Sequence, residues 1–342
     1  MLRVERFEGP ATDWDDFAAE QRGFTHFHRI GWRDVIGGAL GHECLYFAAR
    51  TDDGALAGVL PLVRVRSLVF GHYLVSMPFL NYGGPIGTDA AVQALAEAAT
   101  RHAREDGAKL LELRSRIALP VDLPVSHRKI TVVLDLAANR EALWKGFSAK
   151  LRSQARKPEK EGVTVRFGAD QVEPFYRVFA HHMRDLGTPV LPRQWFEAIA
   201  SRFPDDAWFA CAWYRGNPVA GGAGFRWADE VEITWASSLR EHNRIAPNMM
   251  LYSAFMERAI SERLARFNFG RCSPGSGTHR FKQQWGAKDE ALYWYQRASA
   301  GDGEAATPSP DHGVLSFGPR VWRHLPLRVT TWLGPRIVRF IP

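Results

Sequence analysis

WFACAWYRGNPVAGGAGFRWADEVEITWASS, residues 208–238, decides the reading of the chain. The apolar run WFACAWY (208–214) meets a turn at Arg215–Pro218 and returns as VAGGAGFRW (219–227). Two apolar runs joined by a short Gly/Asn/Pro turn predict a β-hairpin. VEITWASS (231–238) supplies the next strand. On it Glu232 and Thr234 alternate with Ile233, so a carboxylate and a hydroxyl share one face. Gly221, Gly222 and Gly224 lie inside the hairpin rather than between a strand and a helix. That placement excludes a dinucleotide-binding fingerprint.

Toward the carboxy terminus, NMMLYSAFMERAISERL (248–264) follows Pro247 and has the spacing of an amphipathic helix, with Met250, Ala254 and Met256–Ile260 apolar. RFNFGR (266–271) is a strand running into SPGSGTHRFKQQWG (273–286), and ALYWYQRA (291–298) is a last strand. Upstream, VTVRF (163–167) is a strand, VEPFYRVFAHHMRDLG (172–187) a helix ended by Gly187, and 194–202 a second helix.

The amino half shows the same coarse order. Helices are expected at 12–22, capped by Thr12 or Asp13, and at 32–40. CLYFAAR (44–50) and ALAGVLPLVRVRSLVF (55–70) form a hairpin about Asp52–Gly54. LVSMPFLNYGGPIG (74–87) is a strand entering a Gly/Pro loop, 90–105 an alanine-rich helix, and KLLELRSR (109–116) and ITVVLDL (130–136) are strands. Residues 141–161 are expected to form one basic helix that stops before Pro158 and bridges the halves. The expectation is an α/β (α+β) protein of two related lobes, 1–160 and 161–300, followed by a linker and basic aromatic tail, 301–342.

At 342 residues the chain is long enough for two domains, and 46% hydrophobic residues exclude a disordered chain. The net charge of +7 favours anionic partners. Cys44, Cys211 and Cys272 are too far apart for a disulfide framework or a zinc knuckle. The amino terminus does not read as a signal peptide, and no apolar run has transmembrane length. A cytoplasmic location is therefore expected. The P-loop, HExxH and GxSxG patterns are absent. Neighbouring His181 and His182 point in different directions on a helix, so no metal site is expected there. The tail beyond 312 has five arginines and no acidic residue. Two placements compete: peripheral contact with an anionic inner-membrane surface through 317–342, or packing back on the body. Its prolines are expected to cut its helices short.

The richest segment for chemistry is 267–286. Amides around Ser276 and Gly277 are candidates to cradle an anion, with Arg271, Arg280 and Lys282 to neutralise it. Asn248 sits near a helix start, where free N–H groups favour anions.

The ordered set GNPVAGGAGF, VEITWASS, EHNRIAPNMMLYSAFMERA, FNFGR and GSGTHRFKQQWGA resembles the carboxy-terminal lobe of FemAB-like proteins of the GNAT acyltransferase superfamily. WRDVIGGALGHECLYFAAR, GVLPLVRVRSLVFG, SMPFLNYGGP and HMRDLGTPVLP extend the resemblance over about 20–300. It is most similar to the FemAB-related group associated with exosortase and extracellular polysaccharide systems. The resemblance implies tandem GNAT-like lobes, each a mixed central sheet flanked by helices. It implies attack of an amine on an activated acyl carbonyl. The donor would be a substrate rather than a tightly bound cofactor: acyl-CoA, as in ordinary GNAT enzymes, or aminoacyl-tRNA, as in Fem proteins. Such chemistry needs a base, for which Glu232 is the first candidate and His279 the second. Tyr252 is a candidate acid toward a leaving thiolate. Arg152, Arg156 and Lys157 are candidates for a phosphate of donor or acceptor, and Asn81 and Tyr82 for the acceptor wall. Two other classes compete: a noncatalytic GNAT-like binding module, and a nucleic-acid-binding protein using the basic run 145–160.

Overall fold

β-branched and aromatic runs pair into two mixed sheets in the computed structural model, which describes residues 2–67, 71–298 and 318–341. The chain opens with β1 (Arg3–Arg6), α1 (Ala11–Ala19), α2 (Trp32–Leu40), β2 (Glu43–Arg50), β3 (Leu56–Ser67), β4 (Gly71–Ser76) and β5 (Ile86–Gly87). Next come α3 (Asp89–Glu105), β6 (Leu110–Ser115), β7 (Val125–Ser126), β8 (Ile130–Asp135), α4 (Arg140–Gly146) and α5 (Ala149–Lys160). β9 (Thr164–Phe167), α6 (Val172–Leu186) and α7 (Arg193–Arg202) lead to the hairpin β10 (Ala207–Tyr214) and β11 (Asn217–Trp227). β12 (Glu230–Ser238), α8 (Pro247–Ser261), β13 (Arg266–Cys272), α9 (Gly277–Gln283), β14 (Lys288–Ala291) and β15 (Tyr293–Ala298) follow. α10 (Gly318–Trp322) and α11 (Leu327–Val338) close the chain.

The first sheet has the order β1-β2-β3-β4-β6-β15-β7, with β5 on β3; the second has β14-β8-β13-β12-β11-β10-β9. Two compact units result among the described residues, one of 2–67, 71–129, 291–298 and 337–341, the other of 130–290 and 318–336. β8 and β15 therefore join the sheets opposite to those their chain positions suggest. A local apolar pattern marks a strand but does not name its neighbour.

In the first unit the alanine face of α3 lies on Leu45, Leu60, Leu62, Leu74 and Leu111. A Cβ at Gly58 would stand 2.8 Å from Ala91 Cβ, so glycine lets the helix approach the strand. In the second unit α5 and α8 bury Leu151, Ala155, Leu251, Phe255 and Met256 with Val231 and Ile233 of β12. The other face carries Phe175 and Phe179 of α6 and Phe196 of α7, packed with Phe209 and Trp235.

Several local expectations are corrected. Residues 141–161 form two helices, because Ser148 Oγ accepts from Leu151 N and starts a new one. Pro158 lies inside α5: the carbonyl it deprives belongs to exposed Gln154, which water can reach. Pro10, not Thr12 or Asp13, precedes α1, which ends at Ala19. Residues 277–283 form a short helix, for which no element was expected. Pro335 lies within α11, whose Gly334 rests against Val190 (a Cβ would meet Val190 N at 2.9 Å). The proposed linker 301–312 lies outside the described residues.

Candidate active site

The second unit carries a parting of parallel strands. β12 and β13 pair at Glu230↔Arg266, Val231↔Phe267 and Glu232↔Asn268, and then diverge. β12 stays with β11 as far as Ser238, while β13, paired with β8 from Arg266↔Asp135, keeps that partner through a register shift to Arg271↔Thr131 and Cys272↔Ile130. Both bends are written in the residues. Gly270 adopts φ 72°, a conformation cheap only for glycine. Opposite Thr234 the register of β11 and β12 slips, with Ala223↔Trp235 followed by Gly224↔Ile233. This is a β-bulge, which bends a strand and re-aims its side chains. A Cβ at Gly224 would sit 2.2 Å from the Glu232 carbonyl oxygen, so the bulge requires glycine there.

Glu232 is fully buried at the last paired rung, and its Oε1 accepts from Thr234 Oγ1 at 3.0 Å. Across the parting, Lys282 of α9 is also buried, its Nζ donating to Gly270 O at 2.5 Å and Arg271 O at 3.0 Å. Burial lowers its pKa to about 8, partly offset by the negative fields of Cys272 and Glu232. Gln284 Nε2 lies 3.8 Å from Met249 Sδ, which sets the start of α8 beside α9. Asn248, on the first turn of α8, has a buried Oδ1 without a hydrogen-bond partner among the described residues.

A polar network missed by sequence reasoning locks the paired rungs. Asn268 Nδ2 donates to Glu230 Oε1 at 2.8 Å, and Asn268 Oδ1 accepts from Thr131 Oγ1 at 2.6 Å and Gly270 N at 2.8 Å. Arg266 pairs with Glu230 at 3.4 Å. The one signal was an asparagine in the middle of the aromatic run FNF.

The remaining candidates are placed differently. His279 Nδ1 accepts from Gly275 N at 2.9 Å, and its Nε2 faces the Asp289 carboxylate at 2.9 Å. Both ring nitrogens are thus engaged by neighbouring groups in this arrangement. Tyr252 stacks on Phe269 at 5.4 Å and meets Phe281 and Trp285; burial raises its phenol pKa, as for a core tyrosine. Ser276 Oγ caps α9 through His279 N, Gly277 is its first residue, and Arg280 donates to Gly275 O. These three bind their own loop, and Arg271 sits on the bent part of β13. Arg152 donates to Phe147 O at 2.5 Å at the end of α4, and Arg156 lies over the Trp144 ring at 5.1 Å. Both line an open groove of about 590 Å³ with Lys145, but also with Glu141 and Glu159; Lys157 does not line it.

In the first unit β4 and β6 pair in parallel only as far as Val75↔Glu112. Here the chain fills its own parting. Gly83 N and Gly84 N donate to Arg114 O at 3.0 and 2.6 Å, and Arg114 reaches Leu80 O and Glu112 Oε1. Asn81 and Tyr82 are buried in this plug, with Tyr82 against Phe27 at 5.4 Å, rather than forming an open wall.

Residues 145–283 match the family model described as an acetyltransferase (GNAT) domain. No curated protein matches the chain in sequence. Among solved structures it is similar to FemX, at 13% identity and TM-score 0.66, over 85% of this chain and 97% of that one. It is similar to L-PGS from Bacillus licheniformis, at 13% identity and TM-score 0.55, over 92% and 96%. It is also similar to the C-terminal domain of a putative lysylphosphatidylglycerol synthetase from Agrobacterium fabrum, at 13% identity and TM-score 0.56, over 85% and 92%. The chain thus has tandem mixed α/β lobes of GNAT-like architecture, with the fold shared by FemX. In broad terms the match to that family model points to transfer of acyl groups.

Proposed function

We propose that the protein is an N-acyltransferase or aminoacyltransferase of FemAB-like type, whose second unit performs the chemistry at the parting of β12 and β13. The observation that carries this reading is the contrast between the two partings. The first is stitched by Gly83, Gly84 and Arg114. The second is flanked by buried Glu232 and Lys282.

In this reading the activated acyl group enters between the diverging strands, where Lys282 supplies positive charge near the carbonyl oxygen that becomes anionic. Glu232, held by Thr234, takes the proton from the incoming ammonium directly or through a water. The amine nitrogen then bonds to the carbonyl carbon, the C–S bond of the thioester or the C–O bond of the tRNA ester breaks, and the departing thiolate or ribose alkoxide takes up the nitrogen's second proton to leave as thiol or hydroxyl. Asn248 and Arg271 are the remaining candidates to orient the donor. The acceptor is an amine of a cell-envelope or exopolysaccharide precursor, reached from the cytoplasm, and the donor is acyl-CoA or aminoacyl-tRNA. The similarity to a putative lysylphosphatidylglycerol synthetase, whose named product is an aminoacylated lipid, supports the envelope part of this reading.

Thermal melting with acyl-CoA of several chain lengths, and with charged and uncharged tRNA, tests the reading. A donor at a hundred times its Kd stabilises the fold by about 2.7 kcal/mol. Selective stabilisation by one donor is expected. No response to any of them favours a noncatalytic binding module. Equal response to charged and uncharged tRNA favours a nucleic-acid-binding protein.

A further inference from the structure

The described chain leaves five large apolar side chains exposed: Val125, Leu186, Val321, Val329 and Trp332. Four of them lie in one region of the second unit. Val321 is on α10, and Val329 and Trp332 are on α11. Leu186 ends α6 beside α10: Arg323 Nη2 donates to its carbonyl at 3.3 Å, and Pro319 closes on Gly187. Trp332, the largest, is 62% exposed although its helix has a buried face available.

α11 is two-sided. Thr330 and Gly334 face inward, while Arg328, Val329, Trp332 and Arg336 form the outer stripe. Arg336 lies over the Trp332 ring at 4.4 Å. Arg320 of α10 and Arg323 just beyond its end extend the cationic surface, and residues 318–341 contain no aspartate or glutamate. No described helix is long and apolar enough to cross a bilayer.

We propose that this face docks peripherally on an anionic lipid surface, with Trp332, Val329, Val321 and Leu186 entering the headgroup–acyl boundary and the arginines on lipid phosphates. Tryptophan favours that boundary because its ring is apolar and its N–H polar. A helix with apolar and basic side chains on one exposed stripe lies in the interface plane, held by buried apolar area and by attraction to anionic headgroups. A nucleic acid would use the arginines and the indole, but it gains nothing from three exposed aliphatic side chains. The lipid surface uses both sets. One side of α11 packs on the body at Gly334 and Val190, and it is the opposite side that this proposal assigns to lipid. The inference rests on surface chemistry alone and stands whether or not the transfer reaction is as proposed.

The test is sedimentation of the full-length protein with phosphatidylglycerol vesicles and with phosphatidylcholine vesicles. Binding to the first and not the second is expected, weakening as salt is raised. Trp332→Ala with Val329→Ser is expected to reduce binding roughly ten-fold or more. Arg328→Gln with Arg336→Gln should reduce it about five-fold per arginine removed. These side chains are exposed, so an unchanged melting temperature confirms that the variants fold. No binding to phosphatidylglycerol, or binding unaltered in both variants, overturns the proposal. Competition by tRNA for the same residues, with no vesicle binding, overturns it in favour of a nucleic-acid surface.

Discussion

Thr234 Oγ1 donates to Glu232 Oε1 over 3.0 Å at the β-bulge that ends the parallel pairing of β12 and β13. A buried carboxylate at the mouth of a strand parting is thereby held in one rotamer. Replacing it with the isosteric amide, Glu232→Gln, is expected to lower kcat/KM about 10²- to 10⁴-fold, the usual range for a general base. Thr234→Val removes one hydrogen bond to a charged group and should cost roughly ten-fold. Steady-state kinetics with melting curves of both variants check this, with rate falling far more than stability.

Lys282 gives a pH dependence of definite sign. Its folded pKa is lowered to about 8 from 10.5 by burial. Below about pH 8 the unfavourable burial of the ammonium is fully present. Between about 8 and 10.5 the unfolded chain binds more protons, so stability rises with pH relative to a variant lacking the amine. Urea unfolding of the protein and of Lys282→Met from pH 7 to 10.5 should show the difference moving in favour of the lysine by about 3 kcal/mol. Activity moves the other way: it falls as the ammonium deprotonates near pH 8, and that limb disappears in Lys282→Met.

Gly224→Ala tests the bulge itself. The added Cβ meets the Glu232 carbonyl oxygen at 2.2 Å, a backbone atom that cannot swing aside. Destabilisation of at least about 1–3 kcal/mol is expected, as for overpacking of a tight interior. Gly277→Ala serves as the control, because its Cβ meets nothing within 4 Å. Chemical denaturation of the two variants gives the comparison.

Arg114→Ala should damage the first unit. Arg114 is buried with Glu112 at 2.6 Å, and its carbonyl receives Gly83 and Gly84. Removing one partner strands the other charge, at a cost of roughly 3–5 kcal/mol. The same loss should appear with or without donor present, measured by denaturation, since this parting is occupied by its own chain.

Sequence patterns carried much of this far. The Gly216 hairpin, the cap at Gly187 and the order of strands and helices were readable because each rests on local chemistry. The destinations of β8 and β15 were not, because 130–136 and 291–298 read alike as strands whichever sheet receives them. Glu232 and Thr234 were visible as an alternating polar pair. The surroundings of His279, Tyr252, Asn81 and Tyr82 were not, since a sequence does not show which neighbours a side chain meets. Lys282 was read as a candidate to neutralise a bound anion; its burial was not readable, because it follows the bend at Gly270, whose φ of 72° belongs to the fold and not to any residue spacing.

The most direct measurement of the central claim follows consumption of acyl-CoA and of aminoacyl-tRNA, each with a primary amine acceptor, by the protein and by Glu232→Gln side by side. The account predicts that one donor is consumed with transfer to the amine, and that the variant is at least about a hundred-fold slower while still folded and still stabilised by that donor. Equal rates from the protein and the variant would contradict it.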